Sequence, residues 1–155
     1  MNSANTALRN IGVLIFEGFQ LLDAAGPIAV FEMPVRGMNP PPYRLTVYSR
    51  NGGPVRSSSG VSIHSEPLPT GLTLDTLVVS GGEGTRTAMR DDSMLSAIRD
   101  MSLRTRRTTS VCSGAFLLAA AGLLDGRKAT THWRRCPDMT RNFPAVKVEQ
   151  DRIFV

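Results

Sequence analysis

Thr108-Thr109-Ser110-Val111-Cys112-Ser113-Gly114-Ala115-Phe116-Leu117-Leu118 is the stretch that decides how this 155-residue chain is read. β-Favouring residues run up to Cys112, and Ser113-Gly114-Ala115 leads straight into an apolar, helix-forming segment. A thiol on a sharp strand-to-helix turn suits nucleophilic chemistry, because the first free amides of the helix point at it and favour the thiolate. The small residues after the cysteine fit the crowding of such a turn. A second reading stands beside this one. Free cysteines are among the most buried residue types, so Cys112 also fits a core position at a strand end.

Outward from this stretch, strands and helices alternate. Asn10–Phe16 is a near-continuous apolar run, as in a strand buried on both faces. Gln20–Met33 reads as a helix, with Pro27 expected to break or kink it. Tyr43–Ser49 alternates as a second strand, and short extended pieces near Val55 and over Val61–His64 read as a hairpin around Ser57-Ser58-Ser59-Gly60. Leu77–Ser80 is a buried strand running into Gly81-Gly82. Asp92–Thr105 places Met94, Leu95, Ile98 and Met101 at helical spacing, with Asp91 or Asp92 as its cap. The cysteine helix ends near Ala121-Gly122, Trp133–Asn142 is a short helix interrupted by Pro137, and Val146–Val155 reads as extended.

This order predicts an α/β fold: a flavodoxin-like, doubly wound, mostly parallel sheet flanked by helices, with a small β-hairpin. In such sheets ligands bind beyond the carboxyl ends of the strands. Three turns should gather at that edge: Glu17-Gly18, Gly81-Gly82-Glu83-Gly84 and Cys112-Ser113-Gly114.

Composition narrows the classes. Hydrophobic residues make 41% and charged residues 20%, as in a single globular domain with an adequate core. No apolar run reaches the ~20 residues of a membrane span. Met1–Asn10 lacks the basic-then-apolar order of a signal peptide. Two cysteines without repeated spacing argue against a disulfide scaffold and for a reducing, cytoplasmic setting. The net charge of +5 is uneven: Arg104–Arg141 holds eight basic residues against Asp125 and Asp138. A basic face of this kind meets nucleic acid or an acidic neighbouring domain or, more often, only solvent. No helix-turn-helix pattern accompanies it. Gly81-Gly82-Glu83-Gly84 is neither a dinucleotide nor a P-loop signature, so no nucleotide cofactor is expected. Two isolated histidines and two distant cysteines do not make a metal site. His64 and Cys136 read as structural.

Three segments carry a resemblance. V-C-S-G-A-F-L-L-A-A-A-G-L-L-D-G-R-K-A-T-T-H-W (Val111–Trp133), F-E-G-F-Q-L-L-D-A-A-G-P-I-A-V-F-E (Phe16–Glu32) and L-V-V-S-G-G (Leu77–Gly82) together resemble the ThiJ/PfpI superfamily, the class I glutamine amidotransferase-like fold. The wording is similar to two of its groups, the N-terminal domain of AraC-type transcriptional regulators and the isonitrile hydratases; Gly126–Trp133 is closer to the regulators.

What the resemblance implies is specific. Cys112 corresponds to the elbow cysteine, Asp23 to the acid that approaches its sulfur, and His132 to a histidine that several members place nearby. Backbone amides of Gly82 or Glu83 and of Ser113 correspond to oxyanion-hole donors, and Gly81-Gly82 to an anion-binding turn. Ser113 stands where the family's proteases have histidine, which argues against a protease. Trp133-Arg134 after His132 lacks the His-x-Glu of the amidotransferases. The family domain continues with another strand and helix, so the resemblance also implies one domain over residues 1–155 that is truncated at its C-terminus. Two functions follow. One is a ligand-sensing domain that binds a small metabolite at Cys112, reaching DNA only through a C-terminal domain absent from this chain. The other is a cysteine-dependent enzyme of the isonitrile hydratase type. Relatives often pair, so a homodimer is among the implied partners, although no segment marks an interface by itself.

Overall fold

The computed structural model describes residues 8–71 and 73–155; Met1–Ala7, part of the stretch read above as lacking a signal peptide, lie outside them. Strand β1 (Arg9–Leu14) is central because Ile11, Val13 and Leu14 and the following Ile15 and Phe16 are all buried. Helix α1 (Leu21–Val35) crosses over to β2 (Tyr43–Ser49), which pairs with β1 in parallel from Arg9↔Tyr43 to Leu14↔Tyr48. On the other side of β1 lies β5 (Leu74–Val79), also parallel, and beyond it β6 (Thr105–Ser110), parallel again through helix α3 (Asp92–Leu103). Asp91 caps α3 by accepting the amides of Ser93 and Met94, a contribution of about 1 kcal/mol.

The hairpin is less separate than expected. Strands β3 (Asn51–Arg56) and β4 (Ser62–Pro67) are antiparallel to each other, but β4 joins β2 in parallel, giving one six-stranded sheet ordered β3-β4-β2-β1-β5-β6. Only β3 runs against the rest. The fold is the mostly parallel, helix-flanked α/β sheet that the sequence predicts.

Local differences have local causes. Helix α1 continues through Pro27 and Pro34, because Leu21, Ala24, Ile28 and Phe31 stay packed on the core and outweigh the lost backbone bonds. Pro137 does not interrupt a helix either. Trp133–Arg135 is a 3-10 turn, and Pro137 sits in the first turn of α5 (Cys136–Asn142), where its missing N–H costs nothing. Of Val146–Val155 only Lys147–Val148 is a strand, pairing with Lys128–Ala129; the rest is irregular chain with a turn at Gln150-Asp151. Thr85–Ala88 forms a short helix, α2, that periodicity did not reveal in so few residues.

Helix α4 (Ala115–Ala120) carries the cysteine turn's apolar continuation and divides the core. Leu117 and Leu118 pack with the sheet residues, whereas Ala115, Phe116 and Ala119 join Ala129, Met139 and Val146 in a second cluster. Buried all round, it holds the turn before it rigidly. Across the sheet's outer strands, Asp75 accepts two hydrogen bonds from Arg106, which hold its carboxyl at about 2 and tie β6 to β5.

The entry to α4 depends on a residue without a side chain. A Cβ on Gly114 would meet the carbonyl oxygens of Val79 and Ser80, the latter at 2.6 Å. Gly114→Ala should therefore cost about 1–3 kcal/mol in urea unfolding, whereas Gly26→Ala, in α1 with open space around it, should stabilise by roughly 0.5–1 kcal/mol.

Candidate functional site

The carboxyl ends of three adjacent strands deliver the site. After β1 the chain turns at Glu17-Gly18, packs Phe19 fully into the core and enters α1, which carries Asp23 in its first turn. After β5 come Ser80 and the glycine turn. After β6 comes Val111, then Cys112 at φ 54°, the one positive-φ residue other than glycine among the described residues. A left-handed backbone at a non-glycine residue is strained and throws its side chain out of the strand's path.

These turns interlock through hydrogen bonds. The Gly81 amide donates to Asp23 Oδ2 at 3.2 Å, and the Gly82 amide donates to Ser113 Oγ at 2.9 Å. Ser113 Oγ also lies 3.0 Å from the hydroxyl of Thr85, which is wholly buried. Thr131 donates from its hydroxyl to the Cys112 carbonyl at 2.9 Å, fixing the strained residue from the far side. Gln20 donates its amide to the Gly81 carbonyl, and its side-chain carbonyl accepts from the Ser58 hydroxyl, so the β3–β4 turn braces the same edge.

Cys112, Asp23, Gly82, Glu83, Ser113 and His132 all line one cleft of about 430 Å3, with Gln20 and Arg135 beside them. Every residue singled out in the sequence except Gly81 is therefore on the wall. Gly81 is buried behind it and acts by holding Asp23. A second cleft of about 560 Å3 opens on the other side of Cys112 and His132, towards Thr131, Trp133 and Ile153. A separate hollow of about 260 Å3, with the Arg50–Asp91 ion pair on its wall, is lined by Phe16, Val55 and Met94 and contains no cysteine or histidine among its described residues.

The electrostatics of the pair differ from the thiolate expectation. Asp23 is 8% exposed, and burial is the largest influence, raising its carboxyl above the ordinary range; hydrogen bonds from the Cys112 thiol and the Gly81 amide, and the charge of His132, only moderate this. The half-buried Cys112 thiol is pushed up by burial and then by the Asp23 charge, against the Ser113 amide that donates to its sulfur. Elbow amides do reach the sulfur, but desolvation and a neighbouring acid outweigh them. Both influences favour the protonated form of the Cys112 thiol.

Two further expectations are refined. The Gly82 amide is committed to Ser113 Oγ, which leaves Glu83 as the other amide of that pair, and the Ser113 amide donates to the sulfur. His132 Nδ1 accepts the Arg134 amide at 3.3 Å, capping the 3-10 turn. Thr85 and Arg135 belong to the site's surroundings and carried no sequence signal, and Thr131 lay in the Val111–Trp133 segment without pointing to its bond with Cys112; only folding brings them near it. Cys136 packs in the core at 1% exposure, as read from the sequence, whereas His64 is exposed on β4.

Comparison with known proteins identifies the family. The family model described as DJ-1/PfpI matches residues 9–154. An uncharacterized protein of the cpoL 5′ region of Streptomyces lividans is 41% identical over 86% of this chain and 94% of its own length. The isonitrile hydratase of Pseudomonas putida is 37% identical over 79% of this chain and 52% of its length. The HTH-type transcriptional regulator GlxA of Rhizobium meliloti is 35% identical over 99% of this chain and 48% of its length. The chain thus spans about half of these last two relatives. Among solved structures, a ThiJ/PfpI family protein from Pseudomonas syringae superposes with a TM-score of 0.78 at 33% identity, over 91% of this chain and 57% of that one.

The thiol–carboxyl pair yields a direct expectation. Removing the Asp23 charge removes an influence that raises Cys112, so Asp23→Asn should speed iodoacetamide alkylation of Cys112 at pH 7–8, read by mass spectrometry. In the unaltered chain the rate should keep rising above the usual thiol range; a plateau reached below pH 7 would refute this picture.

Proposed function

Because this chain belongs to the DJ-1/PfpI family, we propose that it is a sensing module which binds a small metabolite in the Cys112 cleft. In the regulator to which such a module belongs, occupancy is passed to a separate helix-turn-helix domain that contacts DNA. One observation carries the choice: the cysteine is held as a thiol. Burial and Asp23 keep its proton on, and His132, the candidate base, has Nδ1 occupied by the Arg134 amide. A nucleophilic thiol is helped by a depressed pKa, and here burial and Asp23 act in the opposite direction. The similarity to GlxA along 99% of the chain supports the same reading.

As a ligand site the cleft is well furnished. The Asp23 carboxyl, raised by burial above the ordinary range, offers a hydrogen-bonding group, and the Cys112 sulfur offers a polarizable wall. Gln20, Glu83 and Arg135 supply polar and charged contacts at the rim. For such a module to signal, its ligand must favour one arrangement of the two domains over another.

The alternative is an enzyme of the isonitrile hydratase type, favoured by the 37% identity to that protein and by the Ser113 amide directed at the sulfur. There Cys112 would add to an electrophilic carbon, with Asp23 moving the proton. The two readings part in one pair of measurements. The sensor reading expects saturable binding of a metabolite from a thermal-shift screen, weakened when Cys112→Trp fills the cleft, and no isonitrile turnover above background. Hydration of an isonitrile that disappears in Cys112→Ser would establish the enzyme instead.

The setting proposed is the cytoplasm, in keeping with two free cysteines and the lack of any helix among the described residues long and apolar enough to cross a membrane. A homodimer is proposed as well. Helix α1 leaves Leu22, Val30 and Met33 at 63–70% exposure, an apolar stripe of the kind that marks an interface. Val30→Glu should turn a dimer into a monomer in sedimentation velocity without loss of helical circular dichroism; an unchanged sedimentation coefficient would place the contact elsewhere.

A further inference from the structure

The basic stretch Arg104–Arg141 does not fold into one charged face. Arg106 is committed to Asp75 and Lys128 to Glu149. Arg135 and Arg141 instead meet Arg86 and Arg90, which come from α2 and the turn after it, around a hollow of about 280 Å3 backed by Met89 and Phe116. The sequence separates these two pairs by some 45 positions, and nothing in the linear pattern joins them.

Charge in this hollow is unbalanced. Among the described residues Asp138 is the only carboxylate on its wall, and it serves Arg135 at 3.4 Å and Arg141 at 2.6 Å. Among the described residues Arg86 and Arg90 have no acidic partner within 4 Å. Arg135 Nε is buried, 3.4 Å from Asp138. The Arg135 guanidinium is held over the Phe116 ring at 4.7 Å, so its orientation is set before anything binds. Ordinary surface arginines spread into water and screen one another. Four of them converging on one concave wall repel each other until an anion arrives. Their planar forks match the paired oxygens of phosphate and carboxylate groups.

We propose that this hollow binds a multivalent oxyanion, a phosphate ester or a polycarboxylate, at a site distinct from the Cys112 cleft. The two share Arg135, which lines both. A bound anion and a cleft ligand therefore touch one guanidinium from two sides, and any effect of one on the affinity of the other is reciprocal. The hollow's size favours a small anion: it admits one or two tetrahedral or carboxylate groups but not a duplex, which would cross the open surface. The site stands whether the Cys112 cleft senses or catalyses.

The chain's single tryptophan gives the readout, since Trp133 lies two residues from Arg135 and is covered by Arg134 at 4.8 Å. Inorganic pyrophosphate and, separately, citrate would be titrated against the 155-residue chain at constant ionic strength, following Trp133 fluorescence and heat of binding. Saturable one-to-one binding with Kd below about 1 mM is expected. The double variant Arg86→Ala/Arg90→Ala, altered only at exposed positions, should lose at least about tenfold in affinity, whereas Arg44→Ala on β2 should bind as before. Tighter pyrophosphate identifies a phosphate ester as the natural ligand class, and tighter citrate a polycarboxylate. Absence of saturation, equal affinity in the double variant, or binding of duplex DNA with no response to either small anion would each overturn the assignment.

Discussion

Gly81 has no side chain because three other groups already occupy the place where one would be. A Cβ there would lie 2.6 Å from the Ser113 amide nitrogen, 2.8 Å from Ser113 Oγ and 2.8 Å from Asp23 Oδ2. That exclusion lets the ends of β1, β5 and β6 come within hydrogen-bonding distance of one another, and the cleft exists only because they do. Gly82 and Gly114 serve the same closure from either side: a Cβ on the first would strike the Gly18 carbonyl, and on the second the Ser80 carbonyl, each at 2.6 Å. Backbone packed this tightly cannot drift. The acid and the thiol are therefore positioned by the frame that carries them.

The sheet was legible because buried parallel strands leave continuous apolar runs, and Ile11–Phe16 and Leu77–Val79 are such runs. The same rule understates strands whose flanks carry charge. β6 begins at Thr105 with Arg106 and Arg107 exposed, and its start is invisible to a hydropathy reading because its register comes from pairing with β5. α1 was read as broken because proline dominates local propensity, whereas tertiary packing decides whether a helix survives it. The hairpin's membership of the main sheet rests on two residue pairs between β2 and β4, a long-range contact that no window contains.

Site residues divide in the same way. Cys112, Asp23, His132 and the glycine turn stood at element ends, where the alternation of strand and helix predicts a shared edge. Their protonation did not follow from order along the chain. It depends on how much water the fold removes and on how near Asp23 comes to the sulfur, both consequences of packing. Thr85 and Thr131 show the limit most clearly. Each is an ordinary threonine in the sequence, yet one shares a hydrogen bond with Ser113 and the other anchors the Cys112 carbonyl.

The φ of 54° at Cys112 has a wider meaning for this chain. Glycine would occupy that backbone conformation without strain, and any L-residue held there costs of order 1–3 kcal/mol. Keeping a sulfur-bearing residue at such a point means the fold tolerates a permanent local mismatch, with Thr131 and the Ser113 turn clamping it. Thermodynamic comfort alone would have filled the position differently, so the atom at the tip of the side chain, and not the bend beneath it, is what the architecture is arranged to present.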